Sequence, residues 1–142
     1  MIKVTRYPIP TMLRWLLLIN VIGVAAELYL IDHIESVQQW IPMVVLFAVL
    51  TSTVLINLNR SRAAQQVFLI SMGAAVCSGI VGIYFHLIGN LEFVMELYPS
   101  ATKEVLFLKT VKGATPVLAP GAMVGIGLLG IILNRSINQT KN

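Results

Sequence analysis

Charge is what this sequence has least of. Only 11% of its 142 residues are Asp, Glu, Lys or Arg, against about 25% in a soluble globular domain. Hydrophobic residues make up 57%, and the mean hydropathy is +0.84. A chain this short leaves much of its surface exposed when it folds, so it cannot hide that much apolar surface in a water-soluble core. The scarcity excludes an ordinary cytosolic enzyme, a disordered tail and a nucleic-acid module. Cysteine is scarce too. Cys77 stands alone, so no disulfide can form within the chain, and its apolar surroundings read as those of a small hydrophobe. A P-loop, paired C-x-x-C steps and a nucleophile elbow are missing, and the G-x-G-x-x-G string from Gly125 to Gly130 lies inside an apolar run and not after a strand. Phosphate chemistry, dinucleotide binding and Ser-His-Asp catalysis therefore have no support. No catalytic residue is assigned, and the sequence favours a protein that is not an enzyme.

What the sequence does have is long apolar runs. A membrane-spanning helix needs about 20 mostly apolar residues. Four stretches qualify, at about 12–30, 41–58, 66–87 and 117–133. Each must be helical, because an isolated strand cannot satisfy its backbone in lipid. The expected fold is all-α, a four-transmembrane-helix bundle forming one integral membrane domain over 1–142, with the lipid bilayer as its first partner. The first run follows Arg14 and contains Glu27, so it reads as a retained span and not as a cleaved signal. The longest link, 88–116, is expected to hold structure of its own. Ser100 follows Pro99 and could cap a helix through Lys112 that Gly113 stops. Its mixture of apolar and basic residues predicts a short interfacial helix in the outer loop between spans three and four.

Basic residues near span ends set orientation. Lys3, Arg6, Arg14, Arg60, Arg62, Arg135 and Lys141 share one side; Lys103, Lys109 and Lys112 fall on the other. The expected placement is a bacterial inner membrane with both termini cytoplasmic. Trp15 and Trp40 lie near opposite edges, as interfacial aromatics do. The third span carries Gly73, Gly79 and Gly82, and the fourth carries Gly121, Gly125, Gly127 and Gly130. Such residues let helix backbones approach closely, either within the monomer or, through a face such as Gly121 and Gly125, in a homodimer or against another subunit. Pro116 is suited to start the fourth span, with Pro120 in its first turn.

On this topology all six acidic residues, Glu27, Asp32, Glu35, Glu92, Glu96 and Glu104, lie on the outer side with both histidines, His33 and His86. Asp32 and Glu35 are three apart; His86 and Asn90, and Glu92 and Glu96, are four apart, spacings that share a helix face. If the third helix runs on through Gly89 and Asn90, His86, Glu92 and Glu96 fall within an arc of about 120°. Glu27 lies thirteen residues beyond Arg14, about 20 Å along a helix axis. That predicts a buried acid in the outer hydrocarbon layer, where a carboxylate is expensive and by default suspected of function.

Carboxylates with imidazoles suit zinc, manganese or iron. The expected ligands are His33, His86, Glu92 and Glu96, with Asp32, Glu35 and Asn90 orienting them. The E-x-x-H step of di-iron bundles is missing. A hydrogen-bonded polar cap with no ligand stays open as an alternative, and so does a haem held by His33 and His86. In function, the leading reading is a non-enzymatic His/carboxylate metal site facing outward. A second is a structural or accessory subunit of a larger membrane complex. A weaker third is a membrane enzyme or proton-coupled carrier that uses Glu27.

Three strings together carry a resemblance. They are Asp32-His33-Ile34-Glu35 leading to Gln39-Trp40-Ile41-Pro42, then the run from His86 through Asn90, Glu92, Phe93 and Glu96 to Pro99, then Pro116-Val117-Leu118-Ala119-Pro120-Gly121 before the glycine-rich span. They resemble a family of small bacterial integral membrane proteins without an assigned activity. The resemblance covers most of the chain. It implies four spans with the His/Glu string at the outer mouth, and it supplies no catalytic residue.

Overall fold

The computed structural model describes residues 9–139. Of the orientation markers, Lys3, Arg6 and Lys141 lie outside the described residues. The chain forms five helices in the order α1 (Ile9–Leu30), α2 (Val37–Leu58), α3 (Arg62–Leu97), α4 (Lys103–Val111) and α5 (Gly121–Gln139). Four of them, α1, α2, α3 and α5, are long and apolar enough to cross a membrane. They are apolar on nearly every face. Ile19 and Ile22 on α1, Val44 and Phe47 on α2, and Ile70 on α3 all point outward. Helices hydrophobic all round belong in a bilayer.

The core is one contiguous cluster. Leu17 and Val21 come from α1, Leu46, Val49 and Ile56 from α2, Phe68, Met72 and Ala75 from α3, and Met123, Ile126, Leu133 and Ile137 from α5. α3 is the hub. It packs most extensively on α5 and then on α2, while α1 closes the bundle against α5 and α2. In lipid, helix association depends on close contact because tails are as apolar as leucine, and the α3–α5 seam supplies that contact. A Cβ built on Gly79 would stand 2.6 Å from Val124 Cγ2 and 2.8 Å from the Pro120 carbonyl oxygen. One on Gly127 would stand 2.5 Å from the Met72 carbonyl oxygen, and one on Gly130 would collide with the Met72 sulfur. Across the other seam, the Ser52 and Ser71 hydroxyls of α2 and α3 lie 2.6 Å apart, both buried.

Helix limits follow local chemistry. α2 starts four residues before its expected span, because the Gln39 side-chain oxygen accepts from the backbone N–H of Glu35 (2.8 Å) and Ser36 (2.9 Å). That is the return arm of a capping box. Pro42 then lies inside the helix, near enough its start that a single backbone hydrogen bond is lost. α5 starts later than expected. Between Pro116 and Pro120 the chain makes i→i+3 turns, such as Ala119 N–H to Pro116 O at 3.2 Å and Gly121 N–H to Leu118 O at 2.9 Å. Regular helix begins only after Pro120, then runs past Leu133 through Asn134 and Arg135 to Gln139.

The largest departure from expectation is α3. Its 36 residues measure about 54 Å, while the hydrocarbon layer is about 30 Å thick. Gly89 and Asn90 do not break it, and Pro99 follows its end. Its last third leaves the bundle and is flanked by α4. The cap of α4 is Thr102, two residues later than Ser100. The end of the bundle carrying the α1–α2 turn, α4 and the start of α5 is the distal end below.

Candidate functional site at the distal end

The distal site begins with the way α1 stops. The His33 N–H bonds to the Leu28 carbonyl (2.9 Å) and the Asp32 N–H to the Tyr29 carbonyl (3.2 Å). Those two bonds form a Schellman motif, which requires a left-handed residue between helix and exit. Asp32 fills it at φ 52°, the sole positive-φ residue other than glycine among the described residues. Aspartate tolerates this conformation better than most side chains. The turn aims His33 back toward α3, and the Trp40 indole N–H closes the exit on the Ile34 carbonyl at 3.0 Å.

On α3, His86 meets it. The two imidazole centroids are 6.5 Å apart with a 50° tilt. His86 Nδ1 lies 2.9 Å from the Pro116 carbonyl oxygen. A carbonyl can only accept, so Nδ1 carries the proton and Nε2 of the neutral ring keeps its lone pair. The His33 imidazole is pushed below its ordinary pKa, first by partial burial and then by the neighbouring His86 charge.

Asn90, one turn beyond His86, is 2% exposed. Its Nδ2 donates to the carbonyls of Thr110 (3.1 Å) and Thr115 (2.8 Å), and its Oδ1 accepts from the Thr115 backbone N–H (3.0 Å) and hydroxyl (2.8 Å). Both amide ends are fully used. Gly113 lies against this amide with no room for a Cβ. Asn90 therefore bonds to neither imidazole. It fixes the segment from Thr110 to Thr115, and the next residue, Pro116, supplies the carbonyl that orients His86.

The carboxylates do not join the pair. Glu92 and Glu96 are exposed. Although α3 continues as the spacing required, at about 100° per residue they point about 160° and 120° away from Asn90, which marks the packed face. Asp32 and Glu35 are exposed as well, and the work Asp32 does is to end α1. Among the described residues no group of three or more His, Cys, Asp and Glu side chains is placed to hold a metal ion. The expected four-ligand cluster therefore reduces to two imidazoles. Glu27 is exposed on the outside of the bundle in the last turn of α1, so it faces the surroundings of the bundle and not its interior. Glu104, exposed at the start of α4, is held below the usual carboxylate range by its own backbone N–H and the Thr102 hydroxyl.

The sequence reading missed the loop partners of Asn90. Thr110 and Thr115 carry no signal beyond being polar in a link. It also missed Arg14 as a packed residue: its Nε is buried, and like Asn134 Oδ1 on α5 it has no hydrogen-bond partner among the described residues. A polar residue inside an apolar run was the available signal for both. The glycines divide into two sets. Gly79, Gly82, Gly127 and Gly130 are consumed by the α3–α5 seam, whereas a Cβ on Gly121 or Gly125 would meet nothing within 4 Å.

No family model, curated protein or solved structure matches this chain.

Proposed function

We propose that this multi-pass membrane protein acts without catalysis by binding one divalent transition metal ion between His33 and His86, on the outer face of a bacterial inner membrane, with both termini cytoplasmic. The excess of basic residues at the opposite end and the resemblance to small bacterial four-span proteins support that orientation. The observation that carries the reading is the fixed His86 ring. Metal-binding histidines characteristically donate their second ring N–H to a backbone carbonyl or carboxylate, as His86 does to Pro116, leaving the Nε2 lone pair available to a metal. A centroid separation of 6.5 Å is about the limit for two rings on one ion at about 2.0–2.1 Å from a nitrogen of each, so a tetrahedral ion draws the rings about 1 Å closer together. With the carboxylates turned away, an imidazole pair suits zinc or iron better than manganese. Water or a donor from another molecule completes the coordination.

The test is metal titration and elemental analysis of the detergent-purified full chain. One zinc per chain is expected, lost in His33→Ala and in His86→Ala and kept in the double variant Glu92→Gln/Glu96→Gln. A wild-type protein that holds no metal, or a double histidine variant that binds as before, overturns the reading.

The open face of Gly121 and Gly125 favours a second reading, a subunit that meets a further copy or another membrane protein there. In that case Gly125→Leu disrupts the association in detergent without unfolding the monomer.

A further inference from the structure

Beyond the imidazoles, the last third of α3 and α4 flank an open cleft of about 600 Å³. Phe93, Val94 and Leu97 of α3 and Val105 and Leu108 of α4 make its walls apolar. Lys109 on α4 and Lys112, the residue that caps its end, belong to the same cleft. The Lys109 ammonium lies 3.9 Å from the centre of the Tyr98 ring, so a cation is held at the rim of an apolar trough. Phe93, Leu97 and Leu108 are each about half exposed or more. α3 runs eleven residues past His86, about 16 Å, and these walls lie along that extension.

We propose that this cleft binds an anionic phospholipid of the adjoining leaflet, with one acyl chain along Phe93, Leu97, Val105 and Leu108 and the phosphate on Lys112 and Lys109. Three features select this occupant. The bilayer supplies it continuously at the foot of the cleft. The walls are apolar and match a hydrocarbon chain. The two lysines that line the cleft supply positive charge for a phosphate, and each lysine near a membrane surface strengthens binding to anionic lipid. Gly113 and Ala114, at the foot of the cleft, adjoin Asn90 at the rim of the bundle, so Lys112 sits at the end nearest the headgroups. The interaction is independent of the histidine pair and holds whether or not those rings bind metal.

The experiment uses the full chain in nanodiscs of phosphatidylcholine containing a minor fraction of phosphatidylglycerol, with a photoactivatable diazirine on an acyl chain of one lipid or the other. Labelling of peptides spanning residues 93–98 and 105–114 is expected with the phosphatidylglycerol probe. It should fall about fivefold per lysine in Lys109→Gln and Lys112→Gln, while labelling of the bundle face around Phe47 stays constant and shows that the variants are folded. His33→Ala/His86→Ala should label like wild type. Equal labelling by the two probes, indifference to the lysine variants, labelling confined to the bundle faces, competition by free fatty acid alone, or cross-links between two copies at these peptides would each overturn the proposal.

Discussion

The α3–α5 seam and the distal cap are built on opposite terms. Along the seam, glycines on one helix receive backbone and side chain from the other, and no side-chain hydrogen bond is needed. At the cap, a single buried amide holds the end of α4 and the link that follows it through four hydrogen bonds. The seam lies where lipid gives no hydrophobic drive for association and fit must serve instead. The cap lies where the chain leaves the bilayer and polar loop backbone needs partners. The difference teaches that damage to the two regions should differ in kind. A larger residue in the seam separates helices; a lost amide at the cap frees a segment and leaves the bundle standing.

The largest expected effect is at Gly127. Gly127→Leu forces the side chain into the Met72 backbone and should destabilise the bundle by about 3 kcal/mol or more, read as a lower unfolding midpoint in detergent. If the midpoint holds, the seam is not governed by fit. Asn90→Ala comes next. It leaves loop N–H and carbonyl groups unpaired and should cost about 2 kcal/mol, seen in hydrogen exchange as lost protection in residues 103–120 with protection of residues 68–80 retained. Uniform loss across both would show cap and seam to be one cooperative unit. The smallest effect is a pH dependence. The His33 pKa lies below its ordinary value in the folded state, so the unfolded chain binds the proton more readily. Stability should therefore be complete above the ordinary imidazole pKa, about 6.5, and decline as pH falls from there toward the depressed folded value. His33→Gln should flatten that slope.

Much of this architecture was legible in the sequence because a membrane span is written in composition. Runs such as 41–58 have no other stable home. The limits were less legible, since they depend on a few polar contacts. Gln39 reaching back to Ser36 lengthens α2, and Pro120 delays α5. The passage through Gly89 and Asn90 could not be read locally. A mid-helix glycine and asparagine together weaken a helix, yet Asn90 is held in place by Thr110 and Thr115, about twenty residues further along. The meeting of His33 with His86 was legible from topology alone, because both residues fall where a span ends on one side. The retreat of Glu92 and Glu96 was not, although the rotation per residue was known, because the inward face of α3 beyond the bundle is fixed only by where α4 packs. The role of Asp32 was hidden for another reason: its carboxylate looked like a ligand, whereas its value to the fold lies in its backbone angle.

The unbroken run of α3 has a mechanical consequence. Spanning helices accommodate a change in bilayer thickness by tilting, and a stiff rod that continues beyond the membrane cannot confine that tilt to its embedded part. The segment carrying Phe93, Leu97 and the docked α4 swings with the rod as a lever arm, so whatever the distal end holds moves when the thickness of the surrounding lipid changes.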